Sequence, residues 1–109
     1  MIGGQSARTV IVRGVGPSLA VFGVTGVMED PRLELFDNST SQRIAGNDDW
    51  AGSPEIAAAS NSVGAFALSA ANSKDAVLIL TLPPGPYSAR ISGANGAGGV
   101  ALVEVYEVP

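Results

Sequence analysis

The chain has no cysteine and no histidine among its 109 residues. Disulfides, thiol nucleophiles, Cys/His zinc sites and the Ser-His-Asp triad are therefore excluded. The usual general base near neutral pH is missing as well. Basic residues are few: Arg8, Arg13, Arg32, Arg43, Lys74 and Arg90 stand singly, and the formal net charge is −4. No basic stripe exists to follow a phosphate backbone, so nucleic acid is not an expected partner. Apolar runs are short and broken by Gly and Pro, so no membrane insertion is expected. No basic segment precedes a hydrophobic run, so no signal peptide is visible. Met1 before Ile2-Gly3-Gly4 is consistent with a native or an imposed start, and a missing signal does not exclude secretion.

What remains is apolar and weakly charged. Hydrophobic residues make up 46% and charged residues 15%, the balance of a globular chain. The length suits a single domain over 1–109, complete or one module of a longer chain. An acidic, lysine-poor surface suits an extracellular or cell-surface setting, or a cation partner.

The last third carries the clearest pattern. Ala76–Leu82 (AVLILTL) is stopped by Pro83-Pro84-Gly85-Pro86, Tyr87–Gly93 (YSARISG) alternates, and Val100–Val108 (VALVEVYEV) follows a glycine loop. Strand, turn, strand, turn, strand is the reading. Upstream, Arg8–Arg13 is a β-branched strand, and Arg32–Asp37 alternates as a half-buried one. Asp37–Ser41 supplies turn chemistry, and Gln42–Gly46 returns as a hairpin. Phe66–Leu68 is a further short candidate strand. One short helix is expected over Ser53–Gly64: Ser53 caps, Pro54 takes the first position, Glu55 faces the positive end and Gly64 terminates. The sum is an all-β chain of about seven to eight short strands, an antiparallel, jelly-roll-like β-sandwich. The expected core is Val10, Val12, Leu33, Leu35, Ile44, Leu78, Leu80, Tyr87, Ile91, Val103 and Val105.

Candidate chemistry is sparse. Gly14-Val15-Gly16-Pro17-Ser18-Leu19-Ala20 follows a strand and has the form of a dinucleotide fingerprint. The fingerprint needs a helix start and a βαβ unit, which Pro17, Gly23 and Gly26 oppose. A turn requiring positive φ is the plainer account. Asn47-Asp48-Asp49-Trp50 is the best candidate ligand site. Adjacent acids and loop carbonyls offer oxygen ligands to calcium, with Asp37, Asp48 and Asp49 as the metal set. No cofactor is required, and Ca2+ is the one the acids would take. Asp37 and Asp48 flank the two ends of the hairpin's returning strand and need not meet. Trp50 beside carboxylates also suits a glycan. The plainer account is Asx turns leading into the Ser53 cap, with Trp50 closing the core edge. Lys74 in Asn72–Asp75 reads as an exposed turn, and Gly93–Gly99 as a flexible hairpin tip.

Several of these segments together resemble a known module. Thr9–Leu19 (TVIVRGVGPSL), Phe22–Gly26 (FGVTG), Asp30–Asp37 (DPRLELFD), Asn47–Trp50 (NDDW), Ser73–Ala76 (SKDA), Leu82–Tyr87 (LPPGPY) and Gly99–Tyr106 (GVALVEVY) are similar, in order, to a β-sandwich module of large surface proteins of Verrucomicrobia and Planctomycetes. That module is in turn distantly similar to the bacterial pre-peptidase C-terminal domain, a jelly-roll-like accessory domain. The resemblance implies an exported, non-catalytic accessory module, one among several in a long chain, and supplies no ligand. It also implies a departure. Members usually carry another glycine-rich β-segment upstream of the point where this chain begins. If that segment is a strand, one sheet edge or groove is left open here. A neighbouring copy or module could fill it by strand addition.

The expected function is therefore a non-enzymatic extracellular structural, assembly or adhesion module, self-associating through an open sheet edge into a dimer or filament. The alternative is a carbohydrate- or calcium-binding accessory module centred on Asn47–Trp50.

Overall fold

A computed structural model describes residues 2–70, 72–96 and 98–108. Six strands are present among them: β1 (Arg8–Val15), β2 (Pro31–Asp37), β3 (Gln42–Asn47), β4 (Ala76–Leu82), β5 (Tyr87–Gly93) and β6 (Leu102–Glu107). One α-helix, α1 (Pro54–Ser62), and a 3-10 turn over Pro17–Phe22 lie between strands. The strands form two three-stranded antiparallel sheets, β4-β1-β6 and β3-β2-β5. This is the expected all-β sandwich, with six strands instead of seven or eight. Phe66–Leu68 has no strand pairing and runs as an irregular segment.

Pairing is partly nested: β1 joins β6, and β2 joins β5. That is the folded-ribbon pattern of a jelly roll. β4 completes the first sheet on the far side of β1, and β3 completes the second beside β2.

β1 is the centre of the molecule because it is covered on both faces. Val10 and Val12 point inward and share a core with Leu33, Leu35, Ala76 and Leu82. Ile11 points outward and shares a second core with Trp50 and Val77, over which Ile56, Ala59, Val63, Leu68 and Tyr106 pack. Helix α1 and the 65–68 segment thus make a partial third layer. Ser53 caps α1 by accepting from the Ile56 N–H, and Pro54 and Glu55 take the first turn as expected. A strand buried on both faces reads as a continuous apolar run, here Val10-Ile11-Val12, and not as an alternation.

The two-sided burial corrects the core. Ile11, Val15, Trp50, Ala76, Val77 and Leu82 belong to it. Ile44, Val103 and Val105 do not, being 45%, 38% and 60% exposed. Ile44 fails for a local reason. Leu35 pairs with Ala45 and Phe36 with Arg43, so Ile44 is the extra residue of a β-bulge and is turned off the core face. In β6 the apolar and mixed faces exchange roles. Tyr106 and Glu104 are partly covered by the outer layer, while Val103 and Val105 face inward where the second sheet has ended.

Leu33→Ala should cost about 3 kcal/mol, the usual range for a fully buried leucine, whereas Ile44→Thr should change stability by less than about 0.5 kcal/mol. Urea unfolding followed by Trp50 fluorescence distinguishes the two.

Candidate functional site

The chemistry-bearing residues sort into three places: a buried carboxylate cluster, the 47–50 loop, and one open side of the sandwich.

Asp75 is fully buried just before β4. Its Oδ1 accepts from the Gly16 N–H at 2.8 Å and the Ser18 N–H at 3.2 Å. Its Oδ2 accepts from the Ser18 hydroxyl at 2.5 Å and the Ser73 hydroxyl at 2.7 Å. Ser73 Oγ in turn accepts from the Trp50 indole N–H at 3.0 Å, and Ser18 Oγ accepts from the Ser69 N–H at 2.7 Å. The Trp50 backbone N–H donates to the Asp75 carbonyl at 2.9 Å. One carboxylate therefore ties together the turn after β1, the approach to α1, the 65–70 segment and the start of β4. Among the described residues it has no ion-pair partner. Four donors replace one, which is how a buried carboxylate is tolerated.

The Gly14–Ala20 motif takes its meaning from this cluster. Its backbone amides do cradle an anion, but the anion is the chain's own Asp75. The positive-φ account is corrected: Gly16 has φ −125. Glycine is needed there because a Cβ would collide with the Met28 carbonyl oxygen. Ser18 is 1% exposed, so its hydroxyl is closed to any substrate.

The 47–50 loop is split between core and solvent. Asn47 Oδ1 accepts from the Val77 N–H at 3.1 Å, tying β3 to β4. Trp50 is 8% exposed, its ring in the outer core, so its outer face offers no broad stacking surface to a sugar. Asp48 and Asp49 are exposed. Asp37 is at the opposite end of β3, on the order of 20 Å away at about 3.3 Å per residue, where it accepts from the Ser39 hydroxyl and N–H. Those bonds hold its carboxyl below its ordinary value. The metal set Asp37, Asp48 and Asp49 is thus not brought together, because the length of a strand separates its members. Among the described residues no group of three or more acids is placed to hold a metal. Lys74 is exposed, 3.8 Å from Asp30. The 93–99 loop is more than a flexible tip. Ala94 N–H donates to Asp30 carbonyl, and Gly99, at φ +141, lies so close to Met28 that a Cβ would be 2.6 Å from its backbone.

The third place is where β5 and β6 both end their sheets. β3 packs on β4 at the other side, but no comparable contact joins β5 to β6. A slot of about 130 Å3 enters between the sheets here, lined by Val10, Val12, Leu35, Tyr87, Ala89 and Val105 among others. The Val108 N–H donates to the Thr9 carbonyl, so by ladder alternation Val103, Val105 and Glu107 direct their backbone groups away from β1. Val103 and Val105 are partly exposed, and among the described residues no strand pairs with the outer side of β6. The acids of β6 are paired with arginines of β1. Glu104 lies 3.3 Å from the buried Arg13 Nε and accepts from the Tyr106 hydroxyl at 2.6 Å, while Glu107 pairs with Arg8 at 3.2 Å. The Arg13 guanidinium also stacks 4.6 Å over the Phe66 ring.

The segments that build the Asp75 cluster are separate turns in the sequence, and only the fold brings them together. The signal of the cluster was an Asp at the mouth of an apolar strand, with serines clustered on both contributing loops.

The chain matches no protein-family model, no curated protein and no solved structure.

Two measurements address these contacts. Asp75→Asn turns two amide hydrogens toward donors that need an acceptor, and should cost about 3 kcal/mol in urea unfolding. The hydrogen bond to Glu104, and secondarily burial, raises the Tyr106 phenol above its ordinary value. The folded state then holds that proton more tightly than the unfolded state. The contribution is complete below about pH 10 and is lost as pH rises through the folded-state value. Melting temperature should therefore fall on the alkaline side of pH 10, and Tyr106→Phe should flatten that fall.

Proposed function

We propose that this protein is a non-catalytic structural module of the cell surface or extracellular space, and that it assembles by adding a strand at its open β5/β6 side. The observation that carries this reading is the pair of inward-facing, exposed valines, Val103 and Val105, on β6, whose outer side no strand pairs among the described residues. An edge of that kind templates pairing with another chain unless it is blunted. β6 carries no Lys and no internal Pro, and both of its acids are engaged by arginines of β1. The topology supports the same conclusion. An eight-stranded jelly roll has four strands in each sheet, and here each sheet ends after three on the same side.

The occupant is a second copy of this chain. Two-fold pairing of β6 with β6 gives a closed dimer, and head-to-tail pairing gives a filament. The missing histidine and cysteine, the closed Asp75 cluster and the resemblance to surface-protein modules all favour assembly over catalysis. The calcium and glycan readings of Asn47–Trp50 gain no comparable support, since Trp50 is buried and the acids are dispersed.

Size-exclusion chromatography with light scattering across a concentration series tests the proposal. The expected result is mass rising with concentration, and a Val103→Lys/Val105→Lys variant that stays monomeric with unchanged unfolding. A wild-type chain that remains strictly monomeric at high concentration overturns it.

A further inference from the structure

The outer face of the second sheet gathers charge that the sequence scatters. Leu33 and Leu35 are buried, so alternation turns Arg32, Glu34 and Phe36 of β2 outward. Pairing sets Ser92, Arg90 and Ser88 of β5 directly beside them. On the other side Gly46 lies opposite Glu34, and Arg43 opposite Phe36. Arg43 reaches back along the sheet and donates from Nε to Glu34 Oε2 at 2.9 Å. Gly46 makes room for it, because a Cβ there would collide with the Arg43 guanidinium. The Arg90 guanidinium lies 4.8 Å over the Phe36 ring. Arg32 and Arg90 are exposed and, among the described residues, have no ion-pair partner. Three arginines and one glutamate make this face net +2, while the rest of the chain, with three bases and nine acids, is net −6.

We infer that this face binds an acidic polysaccharide, a chain of sugars bearing carboxylates. The arginines supply the charge match. A guanidinium fork pairs with a carboxylate through two parallel hydrogen bonds, which an ammonium cannot do. The face is an extended track and not a single pocket. A depression of about 590 Å3 over Phe36, Asn38, Ser88 and Arg90 lies at the hairpin end, and one of about 200 Å3 over Arg32, Arg43 and Asn47 lies at the other. From Arg32 to Asn38 is on the order of 20 Å at about 3.3 Å per residue, so a repeating anion fits better than a compact one. Asn38, Ser41 and Ser88 present amide and hydroxyl groups to the hydroxyls of a sugar. A protein partner would need an apolar anchor, and the one large apolar side chain of the outer row, Phe36, is covered by Arg90. The same cover denies nucleic-acid bases a ring to stack on. The site is on a sheet face and rests on no property of the β6 edge.

Oligogalacturonate and its neutral methyl ester are the probes, read by isothermal titration calorimetry. The acid form should bind, more weakly as salt rises, and the ester should not. Arg32→Gln and Arg90→Gln should each weaken binding about tenfold, the effect of losing one charge-assisted pair, with the melting temperature unchanged. Arg90→Lys, which keeps the charge and loses the fork, should restore only part of that loss. Asp48 lines the smaller depression and opposes an anion there, so Asp48→Asn should tighten binding. No binding of the acid form at low salt overturns the inference, as does equal binding of the ester. Polyuridylate bound as tightly as oligogalacturonate would make the face a general anion exchanger and overturns it too. So does a light-scattering mass that falls when Arg32 and Arg90 are replaced, since the occupant is then a second copy. If Arg90→Gln lowers the melting temperature, Arg32→Gln decides alone.

Discussion

A single buried carboxylate holds the loops of this sandwich in place. Asp75 takes four hydrogen bonds from Gly16, Ser18 and Ser73, and through two of those serines it reaches Trp50 and Ser69. Removing any one donor leaves the others facing a carboxylate that is no longer fully compensated, so these contacts stand or fall together. The outer core depends on the same network. The indole of Trp50 is oriented by Ser73, and the ring so placed covers Ile11 and Val77.

That arrangement explains an asymmetry between the two sides of the first sheet. On the β4 side, loops, helix and the neighbouring sheet close over the strands. On the β6 side the helix layer reaches only as far as Tyr106, and the second sheet stops at β5. The exposed valines of β6 are the direct result. Both acids of β6 are paired with arginines of β1, Glu104 on the outer face and Glu107 at an exposed end.

Much of the architecture was legible in the sequence because strands and turns announce themselves locally. Pro83-Pro84-Gly85-Pro86 separates β4 from β5, and Ser53-Pro54-Glu55 opens α1, each by short-range backbone chemistry. What escaped was set by distant partners. Ile44 is the one large apolar residue of β3, yet a bulge one residue wide turns it outward. Val103 and Val105 lie on the more apolar face of β6, yet burial depends on where another sheet ends. Of the candidate ligand residues, Asn47 and Trp50 proved to be tied into the fold, Asp48 and Asp49 to be exposed, and Asp37 to be remote from them. Glycine at position 16 was correctly noted as special, but the reason is crowding by Met28 and not backbone conformation.

The pairing of β1 with β6 has a consequence for the order of events during synthesis. Residues 8–15 and 102–107 are hydrogen-bonded neighbours at almost opposite ends of the sequence. Such distant contacts make folding slow, because the entropy of closing a long loop must be met before the contact repays it. The central strand precedes both of its partners and has no strand to pair with until residues 76–82 are made, and only one until residues 102–107 follow. Val10-Ile11-Val12, the most apolar stretch of β1, lacks the strands that cover it throughout that interval.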